Sequence, residues 1–380
     1  MKQRVNRWTA GLLAVLMIGL TAGLTACSEK DKDPSSSSSG QTKVEPPFAD
    51  LDKSTVLMKV DGQDVTAEQY IPYLYSNFNE QYYQSGLYML ESLGGTAWAE
   101  EWEIEGKTYD LAAYIHYLAQ KEVISRRAVE IMMEQYQITL SPEEEEELQA
   151  DLNRFTDEQI EQYGFTRQAY ESMLRHNYNG LALFYSLYNE GGAYAVPEKE
   201  VYQFFQENFL TYKAIELDLT DDDGNELQGL AREAVLNRLK RYLELYEQSG
   251  DFDKLIAFAG TENPGSYENF SYELPEGGNR VDIVFTLHKE ENPAKTIKDM
   301  TFGEVRIAEY DGKAALLLRL DPEADREDGY YESCRDTALY HAKFEEHNRN
   351  LVDVMNTLSV EMFEEEIAKF DPHEFASELL

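Results

Sequence analysis

Cysteine is almost missing from this chain, whose 380 residues hold only Cys27 and Cys334. With Cys27 committed elsewhere, as argued below, neither an intramolecular disulfide nor a cysteine zinc site can form, and Cys334 reads as a small residue on a helix. Basic residues are scarce too, 34 Lys and Arg against 72 Asp and Glu, for a net charge of −38. So acidic a surface is repelled by nucleic acid and by anionic headgroups, while basic or unfolded polypeptides remain open as partners. The chain also lacks a P-loop, a dinucleotide glycine pattern and a serine-nucleophile elbow. Its histidines, His116, His176, His288, His341, His347 and His373, are scattered. Only His341 and His347 are close, and their spacing puts them on different helix faces, away from a shared metal. Acidic pairs are so common that none stands out as an acid/base couple. The sequence therefore assigns no catalytic residue, no metal ligand and no cofactor.

Long apolar runs are absent except near the start, where Leu12 to Leu20 follows the basic residues Lys2, Arg4 and Arg7. This run is too short for a permanent membrane helix and reads as a signal peptide over residues 1–26. Leu24-Thr25-Ala26-Cys27 has the form of a bacterial lipoprotein cleavage site, small residues before a thiol that can carry a thioether-linked lipid. The expectation is lipidation at Cys27 and a protein anchored on the extracytoplasmic side of the cell membrane. Two or more acyl chains at one residue hold stably where one would not. Cleavage there leaves 354 residues with 31 basic and 72 acidic side chains, a net charge of −41. Residues 27–50, with Asp31-Lys32-Asp33, the run Ser35 to Ser39 and Pro46-Pro47, read as a flexible linker holding the folded part roughly 2 to 3 nm from the membrane.

The remainder is long enough for two cores. Val56 to Val60, the turn Asp61-Gly62 and a capping box of Thr66 with Gln69 predict a strand, a tight turn and a helix through Tyr70, Tyr73 and Leu74. Leu111, Ile115 and Leu118, then Ile124, Ala128 and Ile131, predict a helix from about Thr108 to Gln135 that packs on more than one side. Ser141 caps a third helix, Pro142 opens it, and Glu143 to Glu147 occupy its first turns as a solvated face. Further helices are expected from Thr166 to about Tyr188 and from Pro197 to about Asn208. The pattern then changes. Lys213 to Thr220 alternates as a strand, Leu227 to Gln248 and Phe252 to Phe258 are helical, and Asp311-Gly312 joins strands at about 304–309 and 314–320. A last helix runs from about Tyr331 to Leu358.

Taken in order, three segments resemble the helical chaperone module of SurA- and PrsA-like foldases. They are Lys59-Val60-Asp61-Gly62 to Thr66, the helix followed by Ile138-Thr139-Leu140-Ser141-Pro142, and Val196-Pro197-Glu198-Lys199-Glu200-Val201. Tyr212 to Leu219, Ser249 to Leu255 and Phe302-Gly303-Glu304-Val305 resemble a parvulin domain in outline. The resemblance covers nearly all of residues 55–370 and rests on the order of weak motifs. It implies an α+β, mostly α fold: a helical module (51–209), an inserted parvulin-like (FKBP-like) domain (210–322), and a C-terminal helix (323–380) packing back on the first module. It also implies a foldase that binds unfolded or nascent exported polypeptides.

The departures bear on mechanism. Family parvulins carry a histidine in the first strand and another in the last, with a glycine-rich segment between. Here the strands read Tyr212-Lys213-Ala214-Ile215-Glu216-Leu217 and Lys313 to Leu318 without histidine, and Gly277-Gly278 is the nearest glycine remnant. Isomerisation needs a pocket that holds the proline while the amide crosses a barrier of about 18–20 kcal/mol, so its loss weakens catalysis. Met300 and Phe302 are the apolar candidates for such a pocket. Tyr185 and Tyr188 are candidates for peptide contact, because tyrosine combines apolar area with a polar tip. Expected first is a lipid-anchored chaperone with weak or absent isomerase activity. An active peptidyl-prolyl isomerase with a divergent pocket and a solute-binding lipoprotein are the alternatives.

Overall fold

The computed structural model describes residues 45–89, 95–104, 106–221, 224–262, 282–285, 293–321 and 330–377. The fold is α+β and mostly helical, in two compact units, residues 1–195 with 343–380 and residues 196–342. Cys27, the signal segment, Gly277-Gly278 and His288 lie outside the described residues.

The first unit opens with β1 (Val56–Val60) and β2 (Gln63–Thr66), joined where Asp61 and Gly62 adopt φ of 52° and 77°, a conformation glycine takes freely and a tight hairpin requires. Thr66 and Gln69 form the capping box of α1 (Ala67–Phe78), whose Tyr70, Ile71, Tyr73, Leu74 and Phe78 are buried. So wide an apolar surface needs neighbours on several sides. It packs against α2 (Leu111–Tyr136) and, further along the chain, the helix Arg167–Tyr188. A short hairpin of β3 (Trp102–Ile104) and β4 (Lys107–Tyr109) leads into α2, which Asp110 caps by accepting from Ala113 N at 2.8 Å. Next come α3 (Pro142–Leu152), capped by Ser141 with Glu144 reciprocating, α4 (Asp157–Glu161), and α5 (Arg167–Tyr188), capped by Thr166.

The chain returns to this unit near its end. Strand β9 (Val360–Met362) pairs antiparallel with β1, Met58 opposite Met362 and Val60 opposite Val360, giving a three-stranded sheet of order β2-β1-β9. Helices α11 (Glu364–Ile367) and α12 (His373–Ser377) follow. Phe48, in the stretch expected to be spacer, is buried between Phe370 and Phe375 at ring distances of 5.4 and 5.2 Å, and its N–H donates to Glu374 Oε2 at 2.9 Å. An aromatic ring with a socket leaves water, which the polar composition around it does not reveal.

The second unit holds α6 (Glu198–Asn208), which runs directly into β5 (Phe209–Asp218), so the strand begins four residues before the expected Lys213. Then come α7 (Gly229–Ser249), α8 (Phe252–Glu262), β6 (Asp282–Phe285), α9 (Ala294–Lys298), β7 (Val305–Tyr310) and β8 (Lys313–Arg319). The four strands form an antiparallel sheet of order β6-β5-β8-β7. Alternation divides its faces. Ile215, Leu217, Ala314, Leu316, Leu318, Val305 and Ile307 pack under α7 and α8, while Tyr212, Ala315, Leu317 and Tyr310 meet α9. The unit boundary falls within α10 (Tyr330–Met355), between Ala342 and Lys343.

Candidate functional site

The candidate pocket residues fall on and beside the second face of the four-stranded sheet. Across it, Glu216, Ala315 and Ala308 share one row, and Ala214 and Leu317 another. Ala214 and Ala308 are half-buried, so small side chains make a shallow floor. At one side Tyr310 Oη donates to Glu216 Oε1 at 2.5 Å and Lys313 Nζ donates to Glu216 Oε2 at 2.9 Å. The bond to Glu216 holds the Lys313 ammonium above its ordinary value, so it stays protonated at neutral pH and serves as a donor.

Met300 and Phe302 differ sharply. Met300 is 2% exposed and packs with Ile297, Leu317 and Tyr212, the core role that burial of a thioether fills well. Phe302 is 55% exposed. Its loop is tied on both sides: Met300 N donates to Ile297 O at 3.0 Å, Thr301 N to Glu304 Oε2 at 2.8 Å, and Gly303 N to Arg319 O at 2.8 Å. Gly303 sits at φ 77°, which a residue with a Cβ adopts only under strain. The Arg319 guanidinium lies 4.7 Å from the Phe302 ring centre and donates to Lys298 O at 3.0 Å and to Met300 O. Burial lowers the Arg319 value from its ordinary one, and the group nonetheless remains a cation. Phe302 is therefore an apolar ring fixed in place at the surface, and Met300 is the foot of its loop.

Tyr185 and Tyr188 belong to the first unit. Tyr188 is fully buried, 4.9 Å from the Phe184 ring and 5.8 Å from His347, and its hydroxyl accepts from Asn350 Nδ2 at 3.3 Å. Burial pushes its hydroxyl up to about 12. Tyr185 is half-buried with its ring edge-on to Phe184 at 5.2 Å. The two thus sit in an aromatic core cluster whose neighbour Tyr194 is the more exposed, at 39%.

Arg319 and the alanine floor are invisible to sequence reading, because both depend on strand register. The segment Phe302-Gly303-Glu304 carries the only local signal, an aromatic before a glycine at a strand start.

Among the described residues, no acid/base pair stands out on this sheet face. Histidines elsewhere are held neutral by burial, His116 and His347 at about 4 and His176 at about 3. Among the described residues, no group of three or more His, Cys, Asp or Glu is arranged to hold a metal ion. Among the same residues, no helix is long and apolar enough to cross a membrane.

Neither a family model nor a curated protein matches this chain. Among solved structures it is similar to PrsA from Bacillus subtilis, at 12% identity and a TM-score of 0.28, covering 80% of this chain and 93% of that one. It is similar also to the foldase protein PrsA from Streptococcus pneumoniae, at 12% identity and a TM-score of 0.33, covering 70% and 91%. Likeness at this level assigns neither an activity nor a partner.

Proposed function

We propose that this chain is a membrane-anchored extracytoplasmic chaperone of the foldase type, which holds unfolded exported polypeptides through apolar contact and has weak or no isomerase activity. The observation that carries the reading is Phe302, an aromatic ring braced by Arg319 and Gly303 yet 55% exposed. A rigid exposed ring binds apolar side chains of many sequences at low entropic cost. Neither the strand segment Tyr212 to Leu217 nor the segment Lys313 to Leu318 carries a histidine, which supports binding over isomerisation. The lipid anchor rests on Leu24-Thr25-Ala26-Cys27.

The test is suppression of aggregation of a reduced, unfolded exported protein by the full chain. Phe302→Ala is expected to weaken that suppression several-fold while leaving thermal stability within about 0.5 kcal/mol, as for an exposed site. A proline-limited refolding assay addresses the isomerase part. Acceleration of the slow phase that Phe302→Ala removes would establish active isomerisation instead. Mass spectrometry of the N-terminal peptide reads out lipid on Cys27.

A further inference from the structure

Strand β7 lies at the edge of the four-stranded sheet. Its turn to β8 is Asp311-Gly312, with φ of 48° and 75°, the two-residue hairpin in which Tyr310 and Lys313 form the hydrogen-bonded closing pair. At the other end Arg319 N donates to Glu304 O at 3.0 Å and Gly303 N donates to Arg319 O at 2.8 Å, which makes Val305 and Leu318 a non-hydrogen-bonded pair. The two ends agree on the phase of the ladder. Backbone groups of Arg306, Ala308 and Tyr310 point to β8, and those of Val305, Ile307 and Glu309 point away from it. Among the described residues no strand pairs on that outer side.

Proteins normally blunt such edges with a bulge, a proline, unpaired charges, lysine above all, or a very short strand. The first unit follows that rule, since β9 has three residues and β2 has four with an irregular register. Strand β7 has six residues, Val-Arg-Ile-Ala-Glu-Tyr, in unbroken register, with neither proline nor lysine, and its two charges are neutralised in ion pairs, Arg306 with Glu304 and Glu309 with Arg232. Phe302 stands three residues before it, exposed.

We propose that the outer edge of β7 takes up an extended stretch of unfolded polypeptide by strand addition, its main chain pairing with Val305, Ile307 and Glu309. The proposal rests on the polypeptide-binding reading and specifies how the bound chain is gripped. Main-chain pairing tolerates many sequences, and alternate side chains of the added strand meet the two sheet faces. The occupant is a neutral or basic segment. A net charge of −38 makes a second copy of this chain repulsive and attracts cationic ones.

Glu309→Pro removes one outward N–H and places a ring on the edge, a position where proline is compatible with the strand. Glu309→Ala is its control, because it equally removes the carboxylate and its ion pair with Arg232. Val305→Pro with Val305→Ala repeats the comparison at the first strand position, where proline is also tolerated. The probe is a short labelled peptide of alternating threonine and valine with lysine at both ends, titrated against the full chain by fluorescence anisotropy. The proline variants should bind about fivefold or more weakly than their alanine controls. Amide exchange at Val305, Ile307 and Glu309 should slow when the peptide is bound. Equal affinity of each proline and alanine pair, or peptide binding without protection of those three amides, overturns strand addition while leaving polypeptide binding standing. Failure of the wild type both to bind the peptide and to suppress aggregation overturns the functional reading itself. Sedimentation showing a dimer that Glu309→Pro dissolves would identify a second copy as the occupant and also overturn the proposal.

Discussion

Met300 and Phe302 are two residues apart and both apolar, yet one is sealed in the core and the other faces water. What separates them is the chain reversal at Gly303 and the cation of Arg319, and no hydropathy reading of the segment contains either. Burial of an ionisable group is equally hidden. Glu122 on α2 is 5% exposed and accepts from Asn77 Nδ2, which also donates to Tyr73 O at 2.8 Å. Burial pushes the Glu122 carboxyl well above its ordinary value of 4.5, and the Asn77 bond only partly opposes this. The folded state therefore holds a proton there that the unfolded chain releases above pH 4.5, so Glu122 lowers stability as the pH rises. Glu122→Gln keeps the acceptor for Asn77 and needs no proton. Urea unfolding should find the variant more stable than wild type at pH 8 and nearly equal at pH 4.5, the gap widening by about 1.4 kcal/mol per pH unit until the folded-state value is reached. A constant gap across that range would refute the neutral, buried carboxyl.

At the scale of elements, helix starts were the most legible part of the sequence, because a cap is a local hydrogen bond. Thr66 with Gln69 forms the reciprocal box that its spacing predicts, Ser141 caps its helix as expected with Glu144 reciprocating, and Asp311-Gly312 turns where expected. Ser141→Ala should lower the stability of the first unit by about 1 kcal/mol, measurable as a shift in the urea midpoint. Elements that depend on distant partners escaped notice. Strand β9 is three residues long and pairs with β1 from the other end of the chain, and Phe370 and Phe375 gain meaning only beside Phe48. These contacts predict that Phe370→Ala, which empties a site 2% exposed, costs about 3–5 kcal/mol in the same assay. A loss below about 1 kcal/mol would show that the C-terminal segment is peripheral to the core. The sheet face of the candidate site is an intermediate case. Its strands were readable from alternation and its alanines visible, but which residues became neighbours waited on register.

On the scale of the whole molecule, net acidity is legible in the sequence and titration is not. The six histidines are scattered in the sequence, yet three of them lie within the first unit, His347 buried and His116 and His176 half-buried. His116 Nδ1 lies 3.1 Å from Tyr70 Oη, with Asp371 nearby favouring its charged form, while the Arg126 cation adds to burial in keeping His176 neutral. All three are held far below their ordinary value of 6.5, to about 4, about 3 and about 4. As the pH falls below 6.5 the unfolded chain takes up protons at these rings that the folded unit refuses, so stability falls with pH down to about 4. Each ring contributes about 1.4 kcal/mol per pH unit within that window, and two carboxyls raised by burial, Glu122 strongly and Glu80 less so, oppose them with protons of the other sign. The three histidines outnumber these two carboxyls, so the first unit should lose stability on going from pH 6.5 to pH 5. Urea titrations at those two values, followed through Trp98 and Trp102 fluorescence in that unit, measure the loss, and His176→Gln should reduce it by at least half. An unchanged midpoint between the two pH values, or a His176→Gln variant as acid-sensitive as the wild type, would mean that these rings stay solvated in the folded state.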